Sequence, residues 1–269
     1  MPVQKSVNPM NEKIPLSVAI IAKNEAQNLP ACLESVGFAE QIVVVDSGSA
    51  DETAQIAQNF GCQVYNELWR GFGAQKQFAI DRCTHSWVLL LDADERVPPA
   101  TASVIKTIVD SDSEEAAGYS FPRKNFFQGR WIRHLWGGDR VVRLFRKNRG
   151  RMTQARVHEA VEVSGPVKAL DAPLEHFTES SLSKLLLKMD HYTTLGAQEA
   201  FEKGKRASAW GAAGVAFFAF LQSYLLKRGF LDGVQGLTLS VAESVSRFFK
   251  YAKLSELSRK GSNDPQDRP

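Results

Sequence analysis

Three short runs along the chain are apolar almost without interruption: residues 16 to 22 (LSVAIIA), 41 to 46 (QIVVVD) and 87 to 92 (WVLLLD). Near-continuous, β-branched runs of this length suit strands covered on both faces, so each is expected to be a parallel strand. Between the first two, Leu29, Cys32, Leu33 and Val36 recur at i, i+3, i+4 and i+7 and form one apolar helical stripe. Ser49 with Glu52 three residues on has the form of a capping box. Ile56, Ala57 and Phe60 would be the buried face of the helix it opens, and Gly61 would end it. A short strand at 63 to 66 and a helix around 74 to 82 continue the alternation. This pattern predicts a right-handed α/β sheet with helices on both faces.

Polar residues with no structural excuse follow the strand ends. Asn24 and Glu25 come after the first strand, Asp46 ends the second, and Asp92 and Asp94 end the strand that starts at Trp87. In open α/β sheets the ligand crevice lies outside these carboxyl ends, and three acidic sites converge there. Asp92 and Asp94, at i and i+2, point to the same side of an extended backbone, about 6 to 7 Å apart. A pair of hard oxygen ligands suits Mg²⁺ or Mn²⁺ shared with a diphosphate, because such ions take their remaining ligands from phosphate and water.

Beyond Val97-Pro98-Pro99, Val104, Ile105, Ile108 and Val109 mark a helix at about 101 to 109, and the polar stretch DSDSEEAAG closes a first segment at 118. Residues 119 to 157 read as irregular structure and short strands with many aromatics, including Trp131 and Trp136. Residues 179 to 258 turn helical, and 259 to 269 have the composition of a disordered tail.

The 269 residues carry a net charge of only +3 and are 43% hydrophobic, which fits a real core and excludes a small disulfide scaffold or a fibre. The balance hides an asymmetry. Residues 1 to 118 hold 8 basic and 16 acidic residues, whereas 119 to 157 hold 11 basic residues and one acidic residue, Asp139. Such a block is either a solvated face or a surface for anions; Arg140 and Arg143 suit bidentate phosphate contact or ion pairing. Cys32, Cys62 and Cys83 lack metal-ligand spacing and read as small core residues of a reducing compartment. The N-terminus has no apolar stretch of signal-peptide length, so a cytoplasmic location is expected.

The segments SVAIIAKNEAQNL, VVVDSGSADET, GFGAQKQFAID and LLLDADE resemble the successive motifs of family 2 glycosyltransferases with a GT-A fold. The resemblance implies a UDP-sugar donor bound in residues 1 to 118, with 119 to 178 as the acceptor-binding and catalytic half of the same domain. Carried onto this sequence, it places Lys23, Asn24, Glu25, Asp46, Ser47 and Gly48 around the uridine, Lys76 near the diphosphate, Asp92 and Ala93 at the ribose, and Asp94 on the metal, Mg²⁺ or Mn²⁺. Lys23 stands where many members have an aromatic residue, and Gln77 where Asn is usual.

WGGDRVVRLFRKNRGRM, RVHEAVEV, LEHF and GFLDGVQGL resemble the lipopolysaccharide core β-1,4-glucosyltransferases and their relatives, which add a hexose to an inner-core heptose. That implies an inverting displacement, which needs a base beside the acceptor hydroxyl. Glu159 is the leading candidate, returning acidity after the basic block, and Asp139 is the second. His158 or His176 would complete the metal shell or contact the diphosphate. A nucleotidyltransferase would also use paired carboxylates, but AKNEAQN replaces its glycine-rich basic loop; a nucleic-acid-binding role leaves Asp46, Asp92 and Asp94 idle, so no nucleic acid partner is expected.

Residues 210 to 226 approach the length of a membrane span but contain Gly211, Gly214, Gln222 and Ser223, and Lys227 and Arg228 follow. Helices lying in the membrane interface on the cytoplasmic face of the inner membrane are therefore expected, with a helical cap or self-association into a homo-oligomer as the other uses of this surface.

Overall fold

The computed structural model describes residues 13–153, 159–178 and 181–262. In chain order the elements are β1 (Ile14–Ala22), α1 (Leu29–Ser35), β2 (Ala39–Asp46), α2 (Thr53–Asn59), β3 (Gln63–Asn66), α3 (Phe72–Arg82), β4 (Trp87–Asp92), β5 (Glu95–Arg96) and α4 (Pro99–Ser111). Seven strands follow: β6 (Gly118–Phe127), β7 (Arg130–Ile132), β8 (Arg140–Arg146), β9 (Gly150–Met152), β10 (Val161–Val163), β11 (Val167–Ala169) and β12 (Leu174–Phe177). The helices α5 (Leu182–Glu202), α6 (Ala209–Leu221) and α7 (Gly233–Ser262) complete the chain.

The three apolar runs are strands β1, β2 and β4. β1 pairs in parallel with β2 and with β4, and β2 pairs in parallel with β3. Their side chains divide by alternation. Leu16, Val18, Ile20, Leu89 and Leu91 face one core with α1 and α4, while Ala19, Ile21, Val88 and Leu90 face a second with Ala79 and Ile80 of α3. Burial on both faces is why these runs are almost wholly apolar, and the buried exceptions Ser17 and Gln41 hydrogen-bond to each other. The expected stripe is intact, with Leu29, Cys32, Leu33 and Val36 all buried.

Beyond β4 the sheet turns antiparallel, in the order β3-β2-β1-β4-β8-β6-β12-β5. β5 follows β4 after two residues yet lies at the far end of this order, so the path curls back on itself. That closure sets His176 of β12 opposite Glu95 of β5, beside the end of β4. The mixed α/β fold expected from the sequence, with a sheet covered by helices, is the one observed.

One local expectation is overturned. Ser49 does not form a capping box with Glu52, because its hydroxyl is committed to Asp46 and to the Asn24 backbone N–H. Glu52, at the N-cap, makes no side-chain cap bond, and the Thr53 N–H donates to Asp51 Oδ1 at 3.1 Å. Gly61 ends α2 as expected, at φ +75°.

Two compact units divide the chain, Met1–Lys124 with Gly138–His176 and Asn125–Gly137 with Phe177–Pro269. Segments in chain order, at 1–118, 119–178 and 179–258, differ from this division at residues 125–137 and 177–178. The reason lies within the second unit, where Phe127, Ile132 and Leu135 share a core with Leu239 of α7. Buried Asp232 accepts the backbone N–H groups of Arg133, His134 and Leu135 at 3.0, 3.1 and 2.9 Å. The apolar 210–226 stretch is one continuous helix, α6 running into a π-helical turn at Gln222–Leu226, long and apolar enough to cross a membrane by length and composition, and it ends before Arg228 at φ +58°. α7 runs on to Ser262, past the expected start of the tail at 259, and 263–269 lie outside the described residues.

Candidate active site

The loops after β1 and β2 are laced together by side chains. Asp46 is buried at the end of β2, and its Oδ2 accepts the N–H groups of Gly48 and Ser49 at 3.1 and 3.0 Å. The Ser47 N–H reaches back to the Ala22 carbonyl at 3.0 Å. Asn24 adopts a left-handed φ of +56°, and its Oδ1 accepts the Ala50 N–H at 2.8 Å. The Glu25 N–H donates to Thr53 Oγ1 at 2.8 Å, and Glu25 Oε2 accepts the Asn28 amide at 2.8 Å. Lys23 is exposed at the tip of β1. Asn24, Glu25, Asp46, Ser47 and Gly48 therefore occupy one connected surface at the carboxyl ends of β1 and β2.

α3 joins this surface to the acidic motif through consecutive residues. Gln75 is buried and donates to Ser47 Oγ at 3.0 Å, while its own Oε1 has no partner among the described residues. Lys76, equally buried, contacts Asp92 Oδ1 at 2.8 Å and Glu159 Oε1 at 3.2 Å. Gly73 makes the second contact possible: a Cβ there would stand 2.8 Å from the Thr153 carbonyl oxygen and 3.8 Å from Glu159 Cβ.

Asp92 has a second cation, Arg143, whose Nη2 lies 2.5 Å from Asp92 Oδ2 and 2.8 Å from Glu95 Oε1. Burial alone would raise the Asp92 pKa, but Arg143 and Lys76 hold it far below the usual carboxylate range. Burial would likewise lower the Arg143 pKa, yet Asp92 and Glu95 drive it above its ordinary value. Asp94 points elsewhere, with Oδ2 at 3.3 Å from His176 Nε2. The Ala93 methyl packs into the first core cluster between them. His158 lies outside the described residues.

The description Glycosyl transferase family 2 matches residues 17–170. The chain belongs to glycosyl transferase family 2. The glycosyltransferase is 32% identical over 253 residues to the lipopolysaccharide core biosynthesis glycosyltransferase LpsC of Rhizobium meliloti, covering 91% of this chain and 93% of that one. It is 27% identical over 260 residues to an uncharacterized glycosyltransferase of Rickettsia prowazekii, covering 92% and 89%. Among solved structures, S. aureus TarS 1-349 in complex with UDP-GlcNAc aligns at 13% identity over 91% of this chain and 92% of that chain, with a TM-score of 0.45.

In the glycosyltransferase no group of three or more His, Cys, Asp or Glu side chains converges on one point among the described residues. Asp94 and His176 do converge. At metal–ligand distances of about 2.1 Å, two adjacent corners of an octahedron are about 3 Å apart, and the observed 3.3 Å fits that spacing. Asp92, paired with two cations, is not arranged as a ligand. A divalent ion here would have one carboxylate and one imidazole from the described residues and would take its remaining ligands from phosphate oxygens and water.

Arg143 is buried between Asp92 and Glu95, and Arg140 Nη2 donates to the Leu170 and Ser120 carbonyls. Arg143 is thus committed to ion pairing, with its Nε left without a partner among the described residues, and Arg140 is exposed and anchored through Nη2. Asp139 is paired with Arg123 at 2.8 Å. Sequence reasoning missed Gln75 and Glu95. Gln75 had a signal in its adjacency to Lys76, and Glu95 in its adjacency to the acidic pair.

Proposed function

We propose that the enzyme transfers a hexose, with inversion, from a UDP-sugar to a lipopolysaccharide inner-core acceptor. The observation that carries this reading is Lys76, whose one ammonium contacts both Asp92 of the acidic motif and Glu159. A donor diphosphate beside the acidic motif would draw Lys76 toward it and leave the Glu159 carboxylate to the acceptor.

The surface formed by Asn24, Glu25, Asp46, Ser47 and Gly48 takes the uridine, and Asp92 the ribose. Glu159 accepts the proton of the acceptor hydroxyl as its oxygen attacks the anomeric carbon from the face opposite the leaving UDP. The bond from that carbon to the diphosphate oxygen breaks, and its electron pair leaves with UDP; Lys76 pairs with the charge that develops. Asp94 and His176 would hold Mg²⁺ or Mn²⁺, which supplies Lewis-acid neutralisation of the diphosphate.

The lipopolysaccharide role of LpsC, alignable over nearly the full length of both chains, supports a core-type acceptor. An acceptor of that kind is presented by a membrane, which fits peripheral attachment through the exposed apolar residues of α6 on the cytoplasmic face of the inner membrane. Incubation with a panel of UDP-sugars and truncated lipopolysaccharide acceptors, followed by mass measurement of the products, tests the reading. A hexose increment on a core acceptor with release of UDP is expected; transfer only to acceptors without a core heptose overturns it.

A further inference from the structure

Glu95 sits directly after the acidic motif and is fully buried, and its carboxylate serves three groups, the most distant being Arg123 Nη1 at 3.8 Å from Oε1. Oε2 accepts the backbone N–H of Asp92 at 3.0 Å, and Oε1 accepts Arg143 Nη2 at 2.8 Å. The same guanidinium nitrogen donates to Asp92 Oδ2 at 2.5 Å. Asp92 is therefore fixed at its backbone by Glu95 and at its side chain by the cation that Glu95 holds. The backbone of Glu95 also lies opposite His176 in the β5–β12 pair, so one residue sets the height of His176 against Asp94.

We infer that Glu95 is a positioning residue for glycosyl transfer: without touching substrate, it holds Asp92 and the Asp94–His176 pair in the geometry that receives the metal–diphosphate. Stability is a weak account of these charges, because desolvation offsets much of the attraction in a buried ion pair. Orientation is a direct account. A ligand constellation loses function when its supporting contacts loosen by about 1 Å, even with every ligand present.

The inference rests on the proposed function and is tested on the full chain by Mn²⁺ binding in the presence of UDP, followed by electron paramagnetic resonance, alongside steady-state kinetics. Glu95→Gln keeps the side chain's size but has a single accepting oxygen, so either the Asp92 N–H or Arg143 loses its partner. We expect UDP-dependent Mn²⁺ affinity to fall at least tenfold and kcat about a hundredfold, with the acceptor KM within about threefold of wild type. Arg143→Lys retains the charge but not the two-way contact; it moves the same readouts in the same direction and decides the matter if the glutamine variant does not fold. Wild-type Mn²⁺ affinity and kcat in the folded variant overturn the role of Glu95, as does an acceptor KM that rises along with the loss of metal. Failure of the wild-type protein to take up Mn²⁺ with UDP overturns the metal-dependent reading itself, and the role of Glu95 with it.

Discussion

Lys76 and Glu159, 83 positions apart in sequence, stand 3.2 Å from one another. Because Lys76 also contacts Asp92, the candidate base and the acidic motif share one counter-ion.

Replacing Glu159 by Gln removes the proton acceptor and leaves Lys76 paired with Asp92. We expect kcat to fall by about 10²- to 10⁴-fold, the usual worth of general-base catalysis, while UDP affinity by calorimetry stays within about threefold of wild type. A fully active Glu159→Gln enzyme sinks the base assignment. Gly73→Ala tests the same relationship from the other side, because its added methyl meets the Thr153 carbonyl at 2.8 Å and must displace the segment that carries Glu159. A loss in kcat of about tenfold is expected for that variant, given how steeply catalysis depends on ångström-scale placement.

Asp94 and His176 are the two protein donors that meet at a metal–ligand spacing. Asp94→Asn and His176→Ala should each weaken UDP-dependent Mn²⁺ binding by about ten- to a hundredfold and lower kcat in parallel, readable by metal titration of the activity. Asp92 differs, because Lys76 and Arg143 already occupy its oxygens. Asp92→Asn should therefore weaken UDP binding more than metal binding, and equal losses of both would contradict the separation of roles.

Asp232 organises the second unit by accepting three consecutive backbone N–H groups and contacting His134 Nδ1 at 3.0 Å. Burial on its own would raise its pKa; the hydrogen bonds from Leu135, His134 and Arg133 bring it below the ordinary value. A depressed folded-state pKa adds stability above the unfolded value of about 3.9, and that stability is lost as pH falls through the folded value. Asp232→Ala should cost about 3 kcal/mol in urea unfolding at pH 7 by stranding those donors, and the gap from wild type should narrow below about pH 4. A pH-independent gap would show that packing, not charge, is what Asp232 contributes.

The sheet was legible because both of its faces are covered: LSVAIIA, QIVVVD and WVLLLD are apolar but for Ser17, Gln41 and the terminal aspartates, and the crevice rule then points to Asp46, Asp92 and Asp94. Glu95 was not legible, because its burial depends on Arg143, 48 positions later, and on a β12 partner further still. Next to Arg96 it reads as an ordinary surface charge. Ser49 misled for a related reason, since its spacing to Glu52 suits a cap, but Asp46 sits three residues before it and claims the hydroxyl. The grouping of residues 125–137 with the C-terminal helices was hidden as well, resting on a carboxylate about a hundred positions away.

Trp210, Phe217 and Phe218 fall at i, i+7 and i+8 and so share one side of α6, where they are 89%, 66% and 62% exposed. Leu225 and Leu226 continue the exposed apolar surface, and the exposed cations Lys227 and Arg228 follow directly. Ala212, Ala216 and Ala219, on the other side, are buried. A two-sided helix of this kind suits a membrane interface, where its aromatics would sit among the acyl chains and its cations at anionic headgroups, and we propose that use for it. The full-length protein should therefore sediment with anionic liposomes at low salt and be released at about 1 M salt, where the screening length falls to about 3 Å. Phe217→Glu with Phe218→Glu should abolish sedimentation at any salt without changing the oligomeric state. If the double variant still binds liposomes, or if wild type ignores them while the variant alone changes oligomeric state, the apolar side of α6 serves another partner. Retention of wild type at high salt and at alkaline pH would instead mark α6 as spanning the bilayer.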